Sequence, residues 1–377
     1  MYKNKIVYKN ILVINLMHIG DLMLVTPVLR TLRTAFPTAR LTLLADKKLA
    51  DLVEHNEHLT ECLLLDKKGR DNNPINFARF ILKLRQKKYD LVINLHRNER
   101  ASALAALSGG KKIIGYAKPF FSLFFDQVMP NLKAVKHQIH SHFDVLKEGG
   151  VTDKFDDGGL EMVVPAKAEE SVAKLWEENF TSGDKVVAFN IGASWNTKRW
   201  LPEYFAVCAD KLLTLGYGVI FLGGPMDRAL VQSCVRMMDL QKSSKLKIFT
   251  GNLSLGEVAA VLRRCALFIT TDSGPMHIGV AMNVPIVTMF GSSPVPGFYP
   301  YDAKDVLIKT PEACHPCGIH DCPKSGADNM ACMKNIPADM VMKYALELLD
   351  KFHGEAACKL PSHYGDYRCR VIDMSAK

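Results

Sequence analysis

Long apolar runs are missing from this sequence of 377 residues. None approaches the ~20 consecutive apolar residues that a membrane span needs, so no transmembrane helix is expected. The basic start, MYKNKIVYKN, passes straight into a short apolar strand with no small-residue cleavage site, and it does not read as a signal peptide. The chain is therefore expected in the cytoplasm, where its ten cysteines would be mostly reduced. Aromatic residues make up only 8%, and neither an RNA-binding aromatic signature nor zinc-finger spacing accompanies the net charge of +9, so nucleic acid is not expected as a partner. The charge falls in small clusters such as DKKGR, KLRQKK and GGKK, which suit solvated faces or attraction to phosphorylated partners. There is no G-x-x-x-x-G-K-[ST] loop, and HIGD does not supply the glycines of a dinucleotide fingerprint. Phosphate, if bound, would be held by helix ends and cations.

What is present is globular: 48% hydrophobic and 23% charged residues, in a chain long enough for two ordinary cores. NILVINL (10–16) is a continuous β-branched and leucine run, as a strand buried on both faces would be. Residues 21–36 then carry Leu22, Val25, Val28, Leu29, Leu32 and Phe36 at helical spacing. Strand and helix alternate from there to YDLVINL, and the pattern restarts at KVVAFNIG (185–192) after the polar, glycine-bearing stretch KEGGVTDKFDDGG. Such alternation predicts an α/β fold of two doubly wound parallel sheets in tandem, with ligands beyond the carboxyl ends of the strands. The expected domains are 1–165 and 166–352, with 353–377, which shows no clear period, as a loosely attached tail.

Three strand ends in the second half carry candidate chemistry. In FITTDSGPMHIG, Asp272 and Ser273 are both good N-caps, Gly274 permits close backbone approach and Pro275 suits the first helical turn. A helix start presents unpaired N–H groups and a positive dipole end, which suit a diphosphate, and His277 could add a donor. A well-capped helix with a partly buried histidine would also fit these residues. In NIGASWNTKRW, Ser194, Thr197, Lys198 and Arg199 follow a strand, and the two cations would either neutralise a departing phosphate or simply be solvated. LGGPMDR places Asp227 where it could reach a nucleotide sugar hydroxyl. In the first half, Asp21 follows Gly20 where strand gives way to helix, and it suits either an N-cap or a catalytic base.

The chain resembles the ADP-heptose:lipopolysaccharide heptosyltransferases of glycosyltransferase family 9. The resemblance rests on HIGDLMLVTPVLRTLRTAFPTARL, YDLVINLHRNERASALAALSGGKKIIGY, GASWNTKRWLPEYFA, GGPMDR and TTDSGPMHIGVAMNVPIVTMFG, and it spans about residues 11 to 350. It implies a GT-B fold, two Rossmann-like domains facing a central cleft, with the acceptor in the first half and the nucleotide sugar in the second. It further implies inverting transfer from ADP-heptose to the lipopolysaccharide inner core. Asp21 becomes the general base, Ser194 and Lys198 hold the diphosphate, and Asp272, Ser273, Gly274 and His277 surround the ADP-sugar. Where many relatives have glutamate this chain has Asp227, and where some have paired threonines it has Ala193 and Ser194. No D-x-D sequence occurs, so the metal clamp of other glycosyltransferases has no obvious ligands and no cofactor is expected.

For the acceptor, His96, Arg97 and Arg100 lie just past a strand, suited to carboxylates and phosphates of an inner core. IIGYAKPFFSLFF (113–125) is read as core packing; the alternative is docking at the cytoplasmic face of the inner membrane beside Lys111, Lys112 and Lys118. Cys314, Cys317, Cys322 and Cys332, with His315 and His320, match no common finger spacing and leave a metal site as the lesser reading. Rival functions are a nucleotide-sugar epimerase of the same fold, a family 9 transferase for another nucleotide sugar, and a non-catalytic nucleotide-sugar binder.

Overall fold

The structure, a computed structural model, describes residues 7–130, 135–353 and 368–374. It divides into two compact units, Met1–Val163 and Val164–Lys377.

The first unit is built on β1 (Asn10–Ile14), β2 (Arg40–Asp46), β3 (Glu61–Leu65), β4 (Leu91–Asn94), β5 (Ile113–Gly115) and β6 (Gln127–Val128). The strands lie in the order β3-β2-β1-β4-β5-β6, every pair parallel. Parallel strands need crossovers, and the covering helices bury both sheet faces, which explains why β1 and β4 are apolar at almost every position. The order reverses between β1 and β4, so the chain leaving β1 and the chain leaving β4 diverge there and open a crevice at the sheet's carboxyl edge.

The apolar period over residues 21–36 is not one helix. It forms α1 (Ile19–Met23) and α2 (Thr26–Ala35), with Pro27 in the first turn of α2. Proline has no N–H for the carbonyl of Met23; the Thr26 hydroxyl donates to that carbonyl instead, at 2.9 Å. The same hydroxyl accepts the N–H of Glu161 at 3.3 Å.

That contact belongs to a larger one. The polar stretch expected to behave as a boundary folds back on α2, where Arg30 pairs with Asp156 at 2.9 Å and Glu161 at 2.7 Å and donates to the Gly159 carbonyl at 3.0 Å. The Asp156 N–H is accepted by the Thr31 hydroxyl at 2.9 Å.

The second unit carries β7 (Val186–Asn190), β8 (Gly218–Leu222), β9 (Leu246–Ile248), β10 (Leu267–Thr271), β11 (Ile286–Phe290), β12 (Val306–Lys309) and β13 (Arg370–Asp373). They lie in the order β13-β12-β11-β10-β7-β8-β9, again all parallel. Its reversal falls between β10 and β7. The stretch read as a loose tail supplies β13, held at the edge by backbone pairing to β12 and by Arg370 on Glu347 at 2.6 and 2.9 Å. The rest of that stretch, 354–367 and 375–377, lies outside the described residues.

Arg30, with only 15% of its side chain exposed, is the one cation shared by Asp156 and Glu161 in this clamp. Arg30→Leu should therefore cost about 1–2 kcal/mol in urea unfolding, because it removes the cation from two part-exposed carboxylates, of which Glu161 keeps Asn56 at 3.1 Å, and a donor from the Gly159 carbonyl; a loss below about 0.5 kcal/mol would make the clamp a surface contact.

Candidate active site

At the carboxyl edge of the second sheet, β10 hands over to Asp272 and Ser273, and the Gly274–Ala281 helix begins. Ser273 occupies the N-cap position, yet its side chain makes no cap hydrogen bond. Its hydroxyl instead accepts from Asn190 Nδ2 at 3.0 Å and lies 3.3 Å from Thr270 Oγ1. Asn190 is the last residue of β7, and its amide also donates to the Gly192 carbonyl at 2.9 Å. The helix start is thus left without the side-chain cap that the sequence led one to expect. An uncapped N-terminus keeps N–H groups and a positive dipole end for an anion.

Lys198 supplies the cation. Its ammonium lies 2.9 Å from Asp272 Oδ2, with the carboxylate buried and the lysine about one-fifth exposed, and 4.8 Å from the ring centre of Trp195. The pair brings the NTKR loop against the DSGP turn at the β7–β10 switch. His277, one turn into the helix, is fully enclosed, and burial holds its pKa down at about 4; Asp272 opposes that shift and Lys198 adds to it. It is a neutral imidazole whose Nδ1 has no hydrogen-bond partner among the described residues.

Ser194 is exposed in the same loop. Asp227 sits in the short Pro225–Asp227 turn that follows β8, where Oδ2 accepts the Gly224 N–H at 2.8 Å. A Cβ on Gly192 would fall 2.1 Å from Asp227 Oδ1, so the Asp227 carboxylate packs directly on the Gly192 backbone and a side chain there would displace it. Ser194, Lys198, Asp227, Asp272, Ser273, Gly274 and His277 therefore gather at one sheet edge.

The cysteine segment braces this loop. Thr197 donates its N–H to the His320 carbonyl at 3.2 Å and lies 3.0 Å from Ser292 through its hydroxyl, which also reaches the Ile319 carbonyl. Trp195 stacks on His320 at 4.2 Å, and Asn196 bonds Asp321. Burial, then the neighbouring Cys314, Cys317 and Cys322, push the Cys332 thiol up to about 11. Among the described residues no three His, Cys, Asp or Glu side chains are arranged to hold a metal ion. Trp195, Thr197, Asn190 and His320 were not singled out as supports; the only sequence sign of Asn190 was a polar residue ending an otherwise apolar strand.

In the first unit, His18 and not Asp21 is the N-cap of α1, and Asp21 lies inside the first turn, half-buried. This overturns the reading of Asp21 as a plain cap. The turn is tied to β1 by Asn15, whose amide donates to the Asp21 carbonyl at 3.5 Å while its oxygen accepts the Met17 N–H at 3.0 Å. Across the β1–β4 switch, His96 is buried and held at a pKa of about 4 by desolvation, then by Lys67 and His18. It is a neutral group, so positive charge here comes from Lys67 and the arginines. Arg97 lies 4.0 Å over the Tyr116 ring, and Arg100 donates to the Lys67 carbonyl and to Asn72 Oδ1, each at 2.7 Å. Beside Arg100 a pocket of about 330 Å³ is lined by Asn72, Phe77, Glu99 and Phe121.

The apolar stretch beyond it is core only in part: Phe125 packs on the first unit's apolar cluster, but its neighbours do not. Phe120 is 72% exposed, Leu123 86% and Phe124 50%, around the short Pro119–Ser122 helix.

Comparison with known proteins accords with this geometry. Residues 77–327 match the family model described as glycosyltransferase family 9 (heptosyltransferase). Lipopolysaccharide heptosyltransferase 3 of Escherichia coli K12 is 26% identical over 285 residues, 73% of this chain and 80% of that protein. The crystal structure of a family 9 glycosyltransferase from Veillonella parvula superposes with a TM-score of 0.80 at 33% identity, covering 92% of this chain and 98% of that one. The ADP-heptose lipopolysaccharide heptosyltransferase II of Escherichia coli superposes at 0.75 with 19% identity, covering 91% and 99%, and shares the GT-B fold. With two parallel α/β sheets, a family model that matches two-thirds of its length and a near full-length structural relative one-third identical, this chain belongs to glycosyltransferase family 9.

Proposed function

We propose that this glycosyltransferase moves a heptose from ADP-heptose to the lipopolysaccharide inner core with inversion at the anomeric carbon. The observation that carries the donor half is the Lys198–Asp272 pair beside the uncapped start of the Gly274–Ala281 helix. Departing ADP develops charge on its β-phosphate; a lysine already oriented by a buried carboxylate, with helix N–H groups alongside, meets that charge without reorganising. Ser194 adds a hydroxyl to the diphosphate, neutral His277 one donor or acceptor, and Asp227 a carboxylate toward the ribose. Residues 166–352 are the donor domain in this reading and 1–165 the acceptor domain.

Asp21 is the general base. Its carboxylate takes the proton of the acceptor hydroxyl as that oxygen attacks the anomeric carbon. ADP leaves from the opposite face, which inverts the centre. Arg97 and Arg100, with His96 as a neutral hydrogen-bonding group, face the acidic acceptor.

The acceptor's lipid accounts for the exposed apolar group. No helix among the described residues is long and apolar enough to cross a membrane, so contact with the cytoplasmic face of the inner membrane is peripheral. Phe120, Leu123 and Phe124 make it, next to the pocket that Phe121 and Arg100 line.

The direct test is mass spectrometry of products from ADP-heptose and defined truncated cores. A heptosylated core is expected; an epimerised donor without transfer would replace the proposal. Asp21→Asn should lower turnover about 10²–10⁴-fold with donor KM little changed; near-parental turnover would remove Asp21 from the chemistry. Lys198→Ala should lower kcat/KM for the donor about 10²-fold while acceptor KM holds, and an unchanged donor kcat/KM would leave the loop as surface. Replacing Phe120, Leu123 and Phe124 together by serine should abolish co-sedimentation with phosphatidylglycerol vesicles and leave transfer to a deacylated core intact; parental co-sedimentation would refute the membrane contact.

A further inference from the structure

The break between α1 and α2 leaves the carbonyls of Met23 and Leu24 without a helical partner. Pro27 cannot donate to Met23, and the N–H of Val28 goes to Val25 at 2.9 Å, so it does not reach Leu24. Thr26 serves the Met23 carbonyl. The Leu24 carbonyl, which is the C-cap of α1, lies 3.2 Å from Nδ1 of His142, a residue 118 positions away on the Gln138–Glu148 helix. A carbonyl only accepts, so Nδ1 carries the proton; Nε2 is then the acceptor, and it lies 3.0 Å from the side-chain amide of Gln138, which donates to it. Both ring nitrogens are thereby engaged, in a side chain only 1% exposed.

Burial, reinforced by Arg97 and opposed by the Leu24 carbonyl, holds the His142 pKa at about 4. The ring is accordingly uncharged at neutral pH and acts as a fixed donor. At its other end the same turn is held by Asn15 through the Asp21 carbonyl. Asp21 thus sits on a five-residue helix too short to hold its own direction, anchored to β1 on one side and to the Gln138–Glu148 helix on the other.

We propose that His142 is the positioning residue of the Asp21 turn: its Nδ1–H bond to the Leu24 carbonyl sets where α1 ends and hence the direction in which the Asp21 carboxylate leaves it. The proposal rests on Asp21 acting as the base. The residue never touches substrate, and its effect reaches the reaction only through the geometry of the turn.

The experiment compares His142→Leu, which removes the donor, with His142→Asn, whose amide nitrogen occupies the place of Nδ1. His142→Leu should lower kcat about ten- to a hundredfold with donor KM within about twofold, and His142→Asn should restore kcat to within about threefold of the parent. In Asp21→Asn/His142→Leu the second substitution should cost nothing further, since a positioning residue has no role once the group it positions is gone. Hydrogen exchange gives a readout independent of turnover: the amides of Leu24 and Val25 should exchange faster in His142→Leu and at the parental rate in His142→Asn. Should His142→Leu fail to fold, His142→Gln replaces it, because its amide sits one bond too far along the side chain. Parental kcat in a folded His142→Leu while Asp21→Asn is inactive, multiplying effects in the double variant, or unchanged exchange would each overturn the proposal. Full turnover in Asp21→Asn would instead overturn the base reading and the catalytic half of this one, and exchange alone would then report whether His142 holds the turn.

Discussion

Every strand in both sheets runs parallel, and the rest of the molecule follows from that constraint. A parallel sheet must return its chain through crossovers, so it buries both faces and releases all its carboxyl ends along a single edge. Chemistry is then confined to what the chain does in the few residues after each strand. In the second unit these are the turns after β7, β8 and β10, where Lys198, Asp227 and Asp272 stand. In the first they are the turns after β1 and β4, where Asp21 and His96 stand.

Within those turns the polar groups are committed to one another before any substrate arrives. Ser273 is drawn off its helix by Asn190, Lys198 is oriented by Asp272, and the NTKR loop is backed by carbonyls of Ile319 and His320. Such arrangements lower the cost of ordering at the moment of reaction, since dipoles and charges already point where charge will develop. The cysteine segment belongs to this scheme as backing for the NTKR loop.

The alternation of apolar runs with amphipathic stretches made the α/β class readable, as did the sheet-edge positions of Lys198, Asp227 and Asp272. Other features were hidden for physical reasons. The break after Met23 is invisible to periodicity, because α1 and α2 keep their apolar residues in one register and Pro27 fits a kinked helix as well as the first turn of a new one. The edge strands β6 and β13 are two and four residues long, too short to show a period of two. The exposed Phe120 and Phe124 have the composition of core residues, and only tertiary placement puts them outside. Pairings such as Lys198 with Asp272, or His142 with Leu24, join residues far apart in sequence and leave no local sign.

The strand β13 has a consequence for how the second unit is assembled. Its partner β12 ends at Lys309, and about sixty residues intervene before Arg370 arrives to cover it. Until then the backbone of β12 presents an open row of hydrogen-bonding groups beside a largely apolar strand, the kind of edge that recruits strands from other chains. Nascent or proteolysed chains lacking residues 370–373 would expose that template, so the late-arriving strand guards against aggregation as well as completing the sheet.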